Sequence, residues 1–151
     1  MIRAAVAAAL LTVATLPLLY LRRRMVVIEV SGHSMHPTYR DGERVLVRRA
    51  SLRHVRAGEA VVFALPPSAG NEEGPPRRGR LGGHRWLIKR AAALPGQQVP
   101  GPVREAAKAD TVPAGHLVVL GDNPGASIDS RSWGLLPEPY LLGIVRRRMV
   151  R

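Results

Sequence analysis

The chain contains no cysteine. That excludes disulfides, thiol catalysis and thiolate metal sites, while an oxidising compartment stays open. Aromatic residues make up only 4% of the 151 residues, so any core rests on Val, Leu, Ile and Ala. Acidic residues are also few. The 11 Asp and Glu stand against 23 Lys and Arg, a formal charge of +12. Such an excess points to nucleic acid or to an anionic membrane surface. The arginines fall in separate clusters at residues 22–24, 48–49, 77–78 and 146–148. No RNA-recognition signature, zinc-finger spacing or recognition-helix pattern accompanies them. A membrane surface is therefore the expected partner, and nucleic acid is not. No internal repeat is present.

Hydrophobic residues supply 46% of the chain and charged residues 23%, the balance of one globular domain with a real core. Residues 4–21, 18 in all, carry no charge. As a helix they extend roughly 27 Å, just enough to span a bilayer. Tyr20 and the arginines at 22–24 mark an interfacial end. No small-x-small site closes the run, so a retained anchor is preferred to a cleaved signal peptide. The expected division is an anchor with basic flank at residues 1–24 and a β-rich domain at 25–151. The three arginines after the span would, by the positive-inside rule, hold that domain in the cytoplasm.

Beyond the anchor the pattern is one of short strands. Val26, Ile28 and Val30 alternate with Val27 and Glu29, and Val45 and Val47 alternate with Arg44, Leu46 and Arg48. Apolar runs at 60–65, 86–89, 117–120 and 141–145 bring the candidates to six, separated by Gly and Pro turns. The fold class they predict is mostly β, a small antiparallel domain. Residues 66–83 and 96–110 read as surface loops, with a short helix at 103–109.

Between the first two strands lies Ser31-Gly32-His33-Ser34-Met35-His36-Pro37-Thr38-Tyr39-Arg40-Asp41-Gly42, a tight turn that displays the Ser34 hydroxyl. Backbone N–H groups on such a turn can face the charge that develops on an attacked carbonyl. Lys89 follows Leu87 and Ile88 in a strand, where Lys89 and Arg90 take opposite faces. A lysine forced inward loses hydration and its pKa falls. Reaching the range of about 7–8 suited to a base requires about 4 kcal/mol of differential desolvation. The third cluster, residues 121–134, is dense in turn formers. There Ser127 can hold a lysine in place, while Asp129 and Arg131 can pair and brace the loop. Each cluster taken alone is also readable as an ordinary turn or solvated strand.

Together the motifs Ser-Gly-x-Ser-Met-x-Pro-Thr, Arg-x-Gly-x-x-Val-Val-Phe (56–63), Ile-Lys-Arg-x-x-x-Leu-Pro-Gly (88–96) and Gly-Asp-Asn-x-x-x-Ser-x-Asp-Ser-Arg-x-Trp-Gly (121–134) resemble, in order, those of type I signal peptidases. These are membrane-anchored Ser–Lys proteases. The resemblance implies that family's β-rich catalytic domain after one transmembrane helix. Ser34 becomes the nucleophile and Lys89 its general base, a variant of the Ser–His–Asp arrangement. The Ser34 N–H would serve the oxyanion, Ser127 would orient the lysine, and Asp129 and Arg131 would form the structural pair. Met35 and nearby apolar residues would lie close to the bilayer and the scissile bond. The implied substrates are exported preproteins, cut after a small-x-small motif, with membrane lipid as the other partner and no metal or organic cofactor. The implied location is the cell membrane, single-pass, with the domain on the extracytoplasmic side, against the positive-inside reading.

Two departures stand out. Many members carry an oxyanion-binding serine where Gly32 lies, and Pro124 stands where arginine is common. A specialised maturation protease of the same family and an inactive tethered binding module are the alternatives. His33 and His36 flank Ser34, and His116 precedes the Asp122 region, but neighbours in sequence rarely form a Ser–His–Asp geometry, and no third ligand completes a metal site. A self-cleaving repressor with a Ser–Lys dyad would need a DNA-binding domain where the anchor stands.

Overall fold

The computed structural model describes residues 24–70, 74–76 and 85–149. The expected anchor and part of the expected loop at 66–83 lie outside the described residues. No helix among the described residues is long and apolar enough to cross a membrane.

Seven strands form one antiparallel sheet: β1 (Met25–Glu29), β2 (Arg44–Arg49), β3 (Ala60–Ala64), β4 (Trp86–Ala93), β5 (His116–Leu120), β6 (Leu136–Pro137) and β7 (Leu141–Met149). Their order is β1-β2-β7-β3-β4-β5-β6. Among the described residues two single-turn α-helices accompany the sheet, α1 (Arg104–Ala107) and α2 (Ser130–Trp133). The architecture is mostly β and antiparallel, in keeping with the alternating short runs of the sequence.

Burial follows the side-chain pattern. In β1, Val26 and Ile28 turn inward while Val27 and Glu29 face out. In β3, all five residues are buried, as a continuous apolar run in a central strand requires. Val26 and Ile28 share a core cluster with Val62 of β3 and Ile88 of β4. The first strand thus meets strands three and four places away in the sheet order, which requires the sheet to curl. A second cluster on its other face holds Phe63, Leu117, Trp133 and Leu136. The Phe63 and Trp133 rings meet there at 6.1 Å and 57°, a tilted aromatic contact.

Three expectations are corrected. A seventh strand, β6, is only two residues long and contains Pro137, so periodicity could not reveal it. It sits at the sheet edge, where a proline costs no ladder bond. Strands β4 and β7 run further than their apolar cores. The arginines of β7 are held in the strand by pairing with β2. The segment at 96–110 is not purely a surface excursion: Val99 and Val103 are buried with Val112 and Val118 in a third cluster. Its helix is the single turn of α1.

Candidate active site

The turn after β1 is closed by the ends of its own strands. Val30 N–H donates to the Glu43 carbonyl at 2.8 Å, and Gly42 N–H to the Val30 carbonyl at 2.9 Å. Gly32 adopts φ +87°, a left-handed conformation that a side chain would strain. Its N–H donates to Asp41 Oδ1 at 2.7 Å. Position 32 is therefore a backbone bend built for glycine. Met35 is 1% exposed and anchors the turn in the core, leaving its neighbour Ser34 half-buried at the surface. Asn123, from the segment after β5, grips the turn from the far side. Its N–H donates to the Ser34 carbonyl at 2.9 Å and its Nδ2 to the His33 carbonyl at 3.2 Å.

Lys89 lies in β4 opposite the fully buried Val61. It is 3% exposed, and its Nζ is hydrogen bonded to Ser34 Oγ. Burial holds its pKa below the ordinary value of 10.5, against the pull of the Asp129 carboxylate and with the help of Arg131. The neutral amine favoured by such burial is the form that can accept a proton. Arg90, on the opposite face, is not merely solvated. Its Nε and Nη2 bind the two Asp122 oxygens at 2.7 and 2.5 Å. Asp122 also accepts the Thr38 hydroxyl at 2.5 Å. Arg90, the sequence neighbour of Lys89, thus forms an ion pair with Asp122 that ties β4 to the turn through Thr38.

Asp129 is fully buried and accepts hydrogen bonds from every side. Its donors are Gly121 N–H at 2.8 Å, Ser127 Oγ at 2.6 Å, Arg131 N–H at 3.1 Å, and Arg131 Nε and Nη2 at 2.9 and 2.6 Å. Burial alone would raise its pKa, but the Arg131, Gly121 and Ser127 donors outweigh it and hold the carboxyl below 3.8. Asp129 also caps α2. Ser127 Oγ donates to this carboxylate in the structure, and the hydrogen bond of Lys89 goes to Ser34. Gly121 lets the two loops touch. A Cβ there would fall 2.2 Å from Ser127 Oγ and 2.7 Å from the Ser34 carbonyl oxygen.

Ser34, Lys89, Ser127, Asp129 and Arg131 therefore come together. Met35 turns into the core. Sequence reasoning missed Thr38, Arg90, Asp122 and Asn123. The Gly-Asp-Asn string was the signal for two of them. Among the described residues, no histidine ring is hydrogen bonded to Ser34, and no three metal-binding side chains cluster.

Beside the dyad runs a narrow cleft lined by Glu29, Val30 and Ser31 on one wall and by residues 86–89 on the other, with Ser34 and Met35 at its end. Its lining mixes apolar side chains (Val30, Met35, Trp86, Leu87, Ile88) with polar ones (Glu29, Ser31, Ser34, Lys89). A serine hydroxyl bound to a desolvated lysine beside a cleft is an arrangement in which the amine can take the hydroxyl proton.

Comparison with known proteins agrees. The family model described as signal peptidase, peptidase S26, matches residues 2–104 and 101–150. The probable signal peptidase I-1 of Synechocystis is 33% identical over 135 residues, covering 76% of this chain and 65% of its own. Mitochondrial inner membrane protease subunit 1 of Schizosaccharomyces pombe is 29% identical over 124 residues, covering 80% of this chain and 68% of its own. Signal peptidase I V of Bacillus subtilis is 26% identical over 152 residues, covering 78% and 81%. The chain belongs to the signal peptidase family, peptidase S26, and is a serine endopeptidase of the kind that removes signal peptides.

Proposed function

We propose that the chain is a membrane-bound endopeptidase that removes N-terminal signal peptides from exported preproteins, with Ser34 as nucleophile and Lys89 as general base. The observation that carries this is the direct contact between Lys89 Nζ and Ser34 Oγ inside a desolvated pocket. Neutral Lys89 takes the hydroxyl proton as Oγ attacks the scissile carbonyl carbon. The Ser34 N–H faces the oxyanion of the tetrahedral adduct. The adduct collapses, the C–N bond breaks, and the Lys89 ammonium gives its proton to the leaving amine. Water then attacks the acyl-enzyme ester, Lys89 takes one of its protons and returns it to Ser34 Oγ, and the signal peptide leaves with a new carboxylate. Asp129, held by Ser127 and Arg131, keeps its loop packed beside the lysine.

The cleft supports an extended substrate. Among the described residues, no strand pairs with the outer edge of β1 or with the second edge of β4 over residues 87–89. A peptide laid between them can add backbone hydrogen bonds as a strand does, and the small volume of the cleft favours small side chains. Residues 1–24 serve as a single-pass anchor and residues 25–151 as the domain, held outside the cytoplasm. The outer face of β1, β2 and β7 supports contact with lipid. Val27 and Met149 are exposed there beside Leu46, flanked in the strand register by Arg44, Arg48 and Arg147. A dye on Val27→Cys, unique in this cysteine-free chain, is expected to be quenched by brominated anionic lipid. Equal quenching in neutral lipid and in detergent would remove the lipid contact.

The test of the activity compares wild type, Ser34→Ala and Lys89→Ala in vesicles with a preprotein carrying a small-x-small site. Wild type should release the mature protein and each variant should lose about 10³-fold or more. Cleavage by Lys89→Ala at the wild-type rate would remove lysine from the mechanism.

A further inference from the structure

The last strand of the described chain reaches the turn that carries Ser34. Strand β7 pairs with β3 only as far as Val61 opposite Ile144, and from Val145 onward it pairs with β2 alone. A bulge between Leu46 and Val47 gives β7 one extra residue, Arg146. Bulges re-aim the side chains that follow them. Here the bulge puts Arg148, not Arg147, opposite the buried Val45, while Arg147 lies opposite Leu46.

From that position the Arg148 guanidinium makes three contacts. Its Nη2 donates to the Thr38 carbonyl. Its central carbon stands 5.2 Å from the centre of the Tyr39 ring, a cation–π distance. Its Nε lies 3.8 Å from Glu43 Oε2, a buried oxygen with no hydrogen bond. Thr38 is gripped on its other side too, since its hydroxyl binds Asp122, which Arg90 holds. Tyr39 N–H in turn donates to the carbonyl of Met35 at 2.9 Å, the residue next to Ser34.

We propose that Arg148 is a positioning residue for Ser34. It fixes the Thr38–Tyr39 side of the turn so that the hydroxyl stays within reach of Lys89. The inference rests on the reading of Ser34 as nucleophile. A guanidinium can donate to a carbonyl, cover a ring and face a carboxylate at once. An ammonium cannot, so lysine is a poor substitute here.

The experiment compares Arg148→Ala, Arg148→Lys and Arg147→Ala in the full chain in detergent micelles, which take the lipid contact of Arg147 out of the comparison, with steady-state cleavage and amide hydrogen exchange read together. Arg148→Ala should lower kcat about tenfold with KM within about twofold, because the substrate's own contacts are untouched. Arg148→Lys should recover little, and added methylguanidine should restore part of the Arg148→Ala loss. Arg147→Ala, with the same change in charge, should cleave like wild type. Exchange protection of the Tyr39 amide should fall about tenfold in Arg148→Ala and stay unchanged in Arg147→Ala. Equal cleavage by the Arg148→Ala and Arg147→Ala variants overturns the proposal. If wild type itself is silent, the reading of Ser34 has failed. The exchange comparison still decides whether Arg148 holds the turn, and equal protection in both variants overturns that. If Arg148→Ala folds poorly, Arg148→Lys carries the same comparison, with a several-fold loss expected.

Discussion

Two loops converge on Lys89, and they are held in opposite ways. The loop at 121–134 is braced from within. Its centre is the buried Asp129 carboxylate, and Gly121, Ser127 and Arg131, all within eight residues, point their donors at it. The turn at 31–42 has internal bonds, Gly32 N–H to Asp41 and Tyr39 N–H to Met35, but its long-range grips come from outside. These are made by Asp122 and Asn123, 84 and 90 positions away in the chain, and by Arg148, 110 away. The first loop is a local knot, and its loss breaks the fold. The second is held by the whole sheet, and its loss moves one hydroxyl.

Removing the centre of the knot should have the largest effect. Asp129→Ala leaves the Arg131 guanidinium and buried donors unpaired, and breaking such a pair costs about 3–5 kcal/mol. Thermal or urea unfolding of the detergent-solubilised chain measures it. The same carboxylate fixes the sign of the acid response. Its folded pKa lies below 3.8, so its stabilisation is complete above that value and is lost as pH falls through the folded pKa. An Asp129→Ala chain should lose this acid dependence, and a midpoint within 1 kcal/mol of wild type would show that the knot is not structural.

The point where the loops touch comes next. Gly121→Ala drives a Cβ into the Ser34 carbonyl oxygen and Ser127 Oγ together. The backbone must shift, and a displacement near 1 Å at a reacting group costs about 10²-fold in rate. Cleavage kinetics at unchanged far-UV circular dichroism is the check. Wild-type kcat in Gly121→Ala would mean that the spacing of the loops does not matter. The smallest effect is expected at the bend of the outer-braced turn. Gly32→Ala meets no neighbour within 4 Å but takes a side chain to φ +87°, a strain of about 1 kcal/mol. The midpoint of unfolding should drop by that amount, and a rise would contradict the strain.

The same contrast explains what could be read in advance. Asp129 and Arg131 stand two residues apart, and Ser34 and Lys89 lie in motifs whose order carries the resemblance, so these were legible. Arg90 with Asp122 and Arg148 with Thr38 were not. Nothing local in a chain reports that its last strand returns between the second and third, nor that a bulge there selects Arg148 over Arg147. Strand periodicity found the alternation of β1 and β2 and the continuous run of β3. It could not find β6, too short for any period. Nor could it foresee Val99 and Val103 turning inward from a segment rich in Gly and Pro. The arginines of β7 hid the length of that strand, because pairing overrode their polarity.

The measurement closest to the central claim is the protonation of Lys89 itself. The chain contains only two lysines, Lys89 and Lys108, so a chain labelled with ¹³C-lysine yields two side-chain signals, assigned by Lys108→Arg. Burial holds the Lys89 ammonium below 10.5, so its signal should titrate below that value. The cleavage rate of wild type should rise with pH through the same midpoint, because only the neutral amine takes the Ser34 proton. A Lys89 signal that titrates at 10.5 or above, or a rate that rises at a midpoint Lys89 does not share, would contradict the account.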